Sequence, residues 1–232
     1  MRLTAIPAAL VVLVLALVYV VDRLYELDLA RFGVLPRSVD GLIGILTAPL
    51  LHGDREHLLN NAISMFALGW ALMYFYPRIA GRVFTLGWLV TGVLVWLAAR
   101  PDRHIGASGV VYTMAAFLFT SGMIRKQRTL MALSMLVVFM YGSMIWGLFP
   151  IVPRISWESH LFGALVGVAA AFAYRAVPPA VQDPVIVLDD PEDEEDLPDD
   201  GSNEAPRWSA GADTTPPRPK DGAVTTTWDP LR

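Results

Sequence analysis

The feature that most constrains this chain is a series of long apolar runs with few or no charges inside them. The first, residues 3–21, holds nineteen residues without a charged side chain, and about 20 apolar residues suffice for a helix to cross the hydrocarbon core of a bilayer. Five further runs follow at 57–76, 83–99, 108–124, within 129–150 and at 158–177, bounded by charges, prolines or glycines. With 54% hydrophobic residues in 232, the pattern predicts an all-α membrane protein of six transmembrane helices. Cysteine is absent, which excludes disulfides, thiolate metal sites and cysteine nucleophiles. Chemistry in such a chain must use oxygen and imidazole.

The first run follows Arg2 and looks like a signal peptide, but it lacks a small-residue cleavage pattern and is long enough to span, so it is read as a retained anchor. Between it and the second run lie residues 22–56. Within them "GLIGILTAPLL" is apolar but only eleven residues long. At 1.5 Å per residue this is too short to cross and suits a re-entrant or interfacial segment, so the first loop is expected to associate with the membrane.

Charge divides the chain in two. Residues 1–182 carry 14 Lys and Arg against 8 Asp and Glu, whereas residues 183–232 carry 4 against 14. The acidic, proline-rich second part has too little apolar surface to fold alone and is expected to be a disordered tail on a six-helix domain at 1–182. Lys and Arg on the two sides of the spans number seven each, so their balance does not orient the protein. The "RKQR" cluster at 125–128 is the densest and favours its own side, and with it both termini, as cytoplasmic.

Polar residues inside spans are costly and mark function by default. His57 and Asn61 open the second run, Ser108 the fourth, and His160 lies near the start of the sixth. Even-numbered spans run in one direction, so these four side chains fall at similar depth in the same leaflet. His57 and Asn61 share a helix face at i and i+4, and Ser108 and Tyr112 repeat that spacing. His160, Gly163 and Gly167 form one stripe whose glycines permit close helix approach, with Gly109 as the matching surface. A serine, an imidazole and trapped water are the ingredients of acyl transfer.

Three blocks resemble the rhomboid intramembrane serine proteases. "HGDREHLLNN" is similar to the family's H-x4-H-x3-N block and supplies His52, His57 and Asn61. "GASGVVY" is similar to its G-x-S-G block, with Gly106, Ser108, Gly109 and Tyr112, and "HLFGALVG" to H-x2-G-x3-G, with His160, Gly163 and Gly167. The resemblance covers about residues 3–177 and implies a six-helix fold around a short central fourth helix, with a water-filled cavity. It implies Ser108 as nucleophile and His160 as general base, with His57, Asn61 and the Ser108 amide stabilising the oxyanion. Tyr112 would stack on His160, and His52 would help hold water. The implied activity is a serine endopeptidase that hydrolyses peptide bonds in or near transmembrane segments, without metal or cofactor. Its partners would be transmembrane protein substrates and the lipid bilayer, with no nucleic acid. The Trp-Arg pair that many members carry in the first loop is replaced here by Ile43 and Gly44.

Granted that geometry, His160 is the imidazole able to activate Ser108, and no acidic residue follows where it could orient the ring, so a dyad is expected. Taken singly, each residue has a plainer reading. Ser108 is a helix cap, Asn61 interhelical glue, Tyr112 packing or an interfacial anchor, the glycines structural, and His104 a surface loop residue with nothing to pair with. The order, depth and spacing together favour the joint reading. A metalloprotease would need H-E-x-x-H or H-x-x-E-H, and "HGDREH" spaces its histidines badly for one helix face. A transporter would show paired intramembrane carboxylates or broken helices in repeated halves, and neither is present. The alternative that stays open is an inactive rhomboid-like protein that binds transmembrane segments and controls their trafficking or stability. The minimal six-span plan and the lack of an organelle targeting peptide point to a bacterial plasma membrane.

Overall fold

A computed structural model describes residues 2–151 and 155–180. The described chain is helical: α1 Ile6–Tyr25, α2 Gly44–Thr47, α3 Arg55–Phe75, α4 Ala80–Ala98, α5 Ser108–Arg125, α6 Arg128–Tyr141 and α7 Trp157–Ala173, with short 3-10 segments between. Residues 183–232, expected to form a disordered tail, lie outside the described residues.

The arrangement is inverted relative to a water-soluble bundle. Large apolar side chains such as Leu13 on α1, Ile63 on α3, Leu97 on α4, Phe139 on α6 and Leu165 on α7 face outward, more than half exposed. Asn61, Thr91, Thr113, Ser121, Ser134 and His160 are buried between helices. Lipid tolerates the first set, and the second is kept out of it. Among the described residues four helices, α1, α3, α4 and α6 with its 3-10 extension to Leu148, are long and apolar enough to cross a membrane. The chain is an integral membrane protein.

α5 occupies the centre, packed against α3, α4, α6 and α7, with ten of its 18 residues buried. Being enclosed by helices rather than lipid, it does not need a uniformly apolar surface. Local signals set the ends. Pro7 sits in the first turn of α1, where its missing N–H costs nothing. Asp54 caps α3 by accepting the His57 N–H at 2.8 Å, and Pro77 follows its end. Ser156 caps α7.

The apolar segment of the first loop, residues 41–51, is broken into short helical turns that lie against α4. Ile43 O accepts the Thr47 hydroxyl at 3.0 Å, and Gly44 lies close against the Val34 backbone. In addition the Arg37 guanidinium donates to the Ala99 carbonyl at 2.9 Å, the Trp96 indole donates to Ser38 O at 2.8 Å and the Trp88 indole to Leu46 O at 3.0 Å. An arginine and tryptophans thus hold the loop, but from other positions.

Candidate active site

α3, α5 and α7 each bring a polar residue from their first turns to one cavity of about 560 Å³. Ser108 is the first residue of α5, so its N–H has no carbonyl acceptor within the helix. Its hydroxyl lies 2.9 Å from His160 Nε2 on α7. His160 Nδ1 lies 2.9 Å from the Gly147 carbonyl. A carbonyl only accepts, so Nδ1 carries the proton and Nε2 is left as the acceptor for the Ser108 hydroxyl. That is the tautomer a general base requires. The orienting group is a backbone oxygen rather than a carboxylate.

The ring of Tyr112 stacks on His160 at 4.2 Å between centroids and 10° between planes. Its hydroxyl donates to Met144 O at 2.6 Å. Both aromatic groups are therefore held by carbonyls of the 3-10 segment Gly142–Leu148 that follows α6.

Asn61 and His57 line the same cavity from α3. Asn61 is 5% exposed, yet its Nδ2 has no hydrogen-bond partner and lines the cavity. An amide donor enclosed without an acceptor is costly, and this one borders the space beside Ser108. Gly106 permits the wall to form: its φ is +108°, and a Cβ there would stand 2.5 Å from His57 Nε2. His52 is 4% exposed and packs edge-on against His57 at 5.0 Å between centroids. Its Nδ1 donates to Leu50 O at 3.3 Å, and its Nε2 has no partner. Burial first, and the neighbouring His57 second, hold the His52 imidazole down from 6.5 to about 4.

α5 and α7 meet at the glycines. A Cβ on Gly163 would come 2.2 Å from Gly109 O, and one on Gly167 would come 2.3 Å from Thr113 O. Thr113 Oγ1 donates across the seam to Gly163 O at 2.9 Å. Among the described residues no three His, Cys, Asp or Glu side chains gather as metal ligands.

One residue was misread from sequence. His104 is not a surface loop residue but is 4% exposed, with Nδ1 2.6 Å from Ser156 Oγ and Nε2 3.1 Å from Arg100 O. Its partner Ser156 is 52 residues away, which is why the neighbouring "RPDR" concealed it. The carbonyls of Met144 and Gly147 were missed altogether, since a backbone acceptor leaves no mark on residue type. Glu158, 4% exposed beside Arg100, was also missed, although an acidic residue two positions before His160 was visible in the sequence.

Comparison with known proteins agrees with the sequence blocks. Residues 40–177 match the model of the rhomboid domain. The chain is 33% identical over 178 residues to the uncharacterized protein Rv1337 of Mycobacterium tuberculosis, covering 69% of this chain and 72% of that one. It is also 33% identical over 176 residues to the uncharacterized protein ML1171 of Mycobacterium leprae, covering 70% and 68%. Three motif blocks, an enclosed central helix and a domain match over more than half of the chain lead to one assignment: the protein belongs to the rhomboid family.

Proposed function

We propose that the protein is an intramembrane serine endopeptidase acting through a Ser108–His160 dyad on transmembrane protein substrates. The observation that carries this reading is the 2.9 Å contact between Ser108 Oγ and an imidazole nitrogen whose partner nitrogen is already committed to the Gly147 carbonyl. Ser108 Oγ attacks the scissile carbonyl as His160 Nε2 takes its proton. The oxyanion of the tetrahedral intermediate is met by the Asn61 amide, the His57 ring and the Ser108 N–H. Each such donor is worth about 2.7–4 kcal/mol in acyl transfer. Collapse of the intermediate releases the amine, which receives the proton from His160, and leaves an acyl-serine. Water from the cavity, deprotonated by the same nitrogen, then hydrolyses the ester and restores Ser108.

In this reading six helices span the membrane, α5 and α7 included, and the "RKQR" side with both termini is cytoplasmic in a bacterial plasma membrane. Residues 1–182 form the catalytic body and residues 183–232 an appended acidic segment. His52 keeps the floor beside His57 polar enough to hold water, while Gly106, Gly109, Gly163 and Gly167 allow the backbones to come together.

The test is incubation of purified protein with a helix-destabilised transmembrane substrate. Cleavage by the wild type and none by Ser108→Ala supports the protease. Equal binding by both with cleavage by neither would favour the inactive, segment-binding rhomboid-like protein.

A further inference from the structure

The α4–α5 connection and the start of α7 are joined by contacts that the reaction above does not use. Glu158, in the first turn of α7, is 4% exposed, and a carboxylate is seldom enclosed to that degree unless it is paired. One oxygen accepts the Arg100 N–H at 3.3 Å and the other stands 3.6 Å from the Arg100 guanidinium. The same guanidinium donates to Ile155 O at 2.8 Å, just ahead of the helix. The His104 ring lies between Arg100 O, which can only accept and so takes the Nε2 hydrogen, and the Ser156 hydroxyl, which donates to Nδ1. Ser156 in turn accepts the Ser159 N–H and caps α7.

We propose that Arg100, His104, Ser156 and Glu158 form a positioning clasp that sets His160 against Ser108, an inference that rests on the protease reading. His104 lies four residues before Ser108 in the connection that leads into α5, and Glu158 lies two before His160 on α7, so each half of the clasp is close in the chain to a dyad residue. Two residues along a helix turn it by about 200°, so Glu158 points to the loop while His160 points to the cavity. Holding Glu158 therefore fixes the rotation of α7 about its own axis. The glycine contact at Gly109 and Gly163 limits only how closely the helices approach. Displacing a reacting group by about 1 Å can cost about a hundredfold in rate. The clasp thus governs turnover through the angle it gives His160.

The experiment uses the full-length protein below its melting temperature. It compares kcat and KM on a transmembrane substrate, the rate of phosphonate labelling at Ser108, and amide hydrogen exchange over residues 156–162. Glu158→Ala and Arg100→Ala should each lower kcat and labelling by about tenfold to a hundredfold, and the double variant should be little worse than the slower single. Because Arg100, His104 and Ser156 also border the cavity, KM is decisive, and it should stay within about twofold if the loss is one of positioning. Glu158→Gln, which keeps an acceptor for the Arg100 N–H, should recover most of the rate. Exchange should quicken at the start of α7 and not at its far end. Asp102→Asn, which removes only the exposed partner of Arg100, should match the wild type. Wild-type turnover and labelling in Glu158→Ala and Arg100→Ala, with or without faster exchange, overturn the clasp. If those variants do not fold, Ser156→Ala decides in the same way, a lower kcat at unchanged KM supporting the clasp and an unchanged kcat, or a loss confined to KM, overturning it. A wild type that neither cleaves nor labels is a different result, since it removes the protease reading itself.

Discussion

A Cβ placed on Gly163 would stand 2.2 Å from the carbonyl oxygen of Gly109, so α5 and α7 meet backbone to backbone about one turn from His160. No side chain fits there without separating the helices. Gly163→Val is expected to lower both the melting temperature and proteolysis strongly, because pushing α7 outward stretches the 2.9 Å contact between His160 and Ser108. Thermal denaturation and turnover measured on the same preparation check this, and full activity with unchanged stability would contradict it.

Asn61 presents a buried amide nitrogen, Nδ2, with no hydrogen-bond partner, an arrangement that makes sense if its acceptor forms only during reaction. Asn61→Ala should reduce kcat by about a hundredfold to a thousandfold while leaving KM nearly unchanged. His57 and the Ser108 N–H remain as donors, so activity should not fall to background. A loss confined to KM would place Asn61 in substrate binding instead.

Legibility of the chain followed the physics of each feature. Charges, prolines and glycines mark span ends because lipid penalises charge and helices end at such residues, so residues 83–99 anticipated Ala80–Ala98 and residues 108–124 anticipated Ser108–Arg125. Ser108, His160, His57 and Asn61 were legible as a group because helices running in one direction bring their first turns to one level. The partners that orient them were not. Gly147 and Met144 act through carbonyls. His104 meets Ser156 across 52 residues of chain, a pairing that depends on tertiary approach and not on local pattern. The first loop shows the same limit: Arg37 and Trp96 brace it by contacts to backbone oxygens, which no spacing in the loop announces.

His52 supplies a pH dependence with a definite sign. Its imidazole is held at about 4 in the fold against 6.5 ordinarily, so between these values the unfolded chain binds the proton and the folded one does not. Stability is then complete above about pH 6.5 and falls as pH drops toward about 4. Melting temperatures between pH 7.5 and 4.5 should decline less steeply in His52→Gln than in the wild type. Identical slopes would show that His52 does not carry the effect.

Residues 183–232 hold 14 acidic against 4 basic residues and little apolar surface, a composition suited to solvent rather than to a packed site. Removing them should leave proteolysis in detergent nearly intact. A large loss in rate at equal folding would show that the segment reaches the substrate or the site.

The central claim is that Ser108 and His160 act as one unit, and the most direct measurement is the combination of their variants. Turnover and labelling by a serine-directed phosphonate should both fall to background in Ser108→Ala and in His160→Ala, with the double variant little worse than either single. Labelling that survives in Ser108→Ala, or proteolysis near the wild-type rate in His160→Ala, would contradict the dyad and leave Ser108 as the first residue of a helix and nothing more.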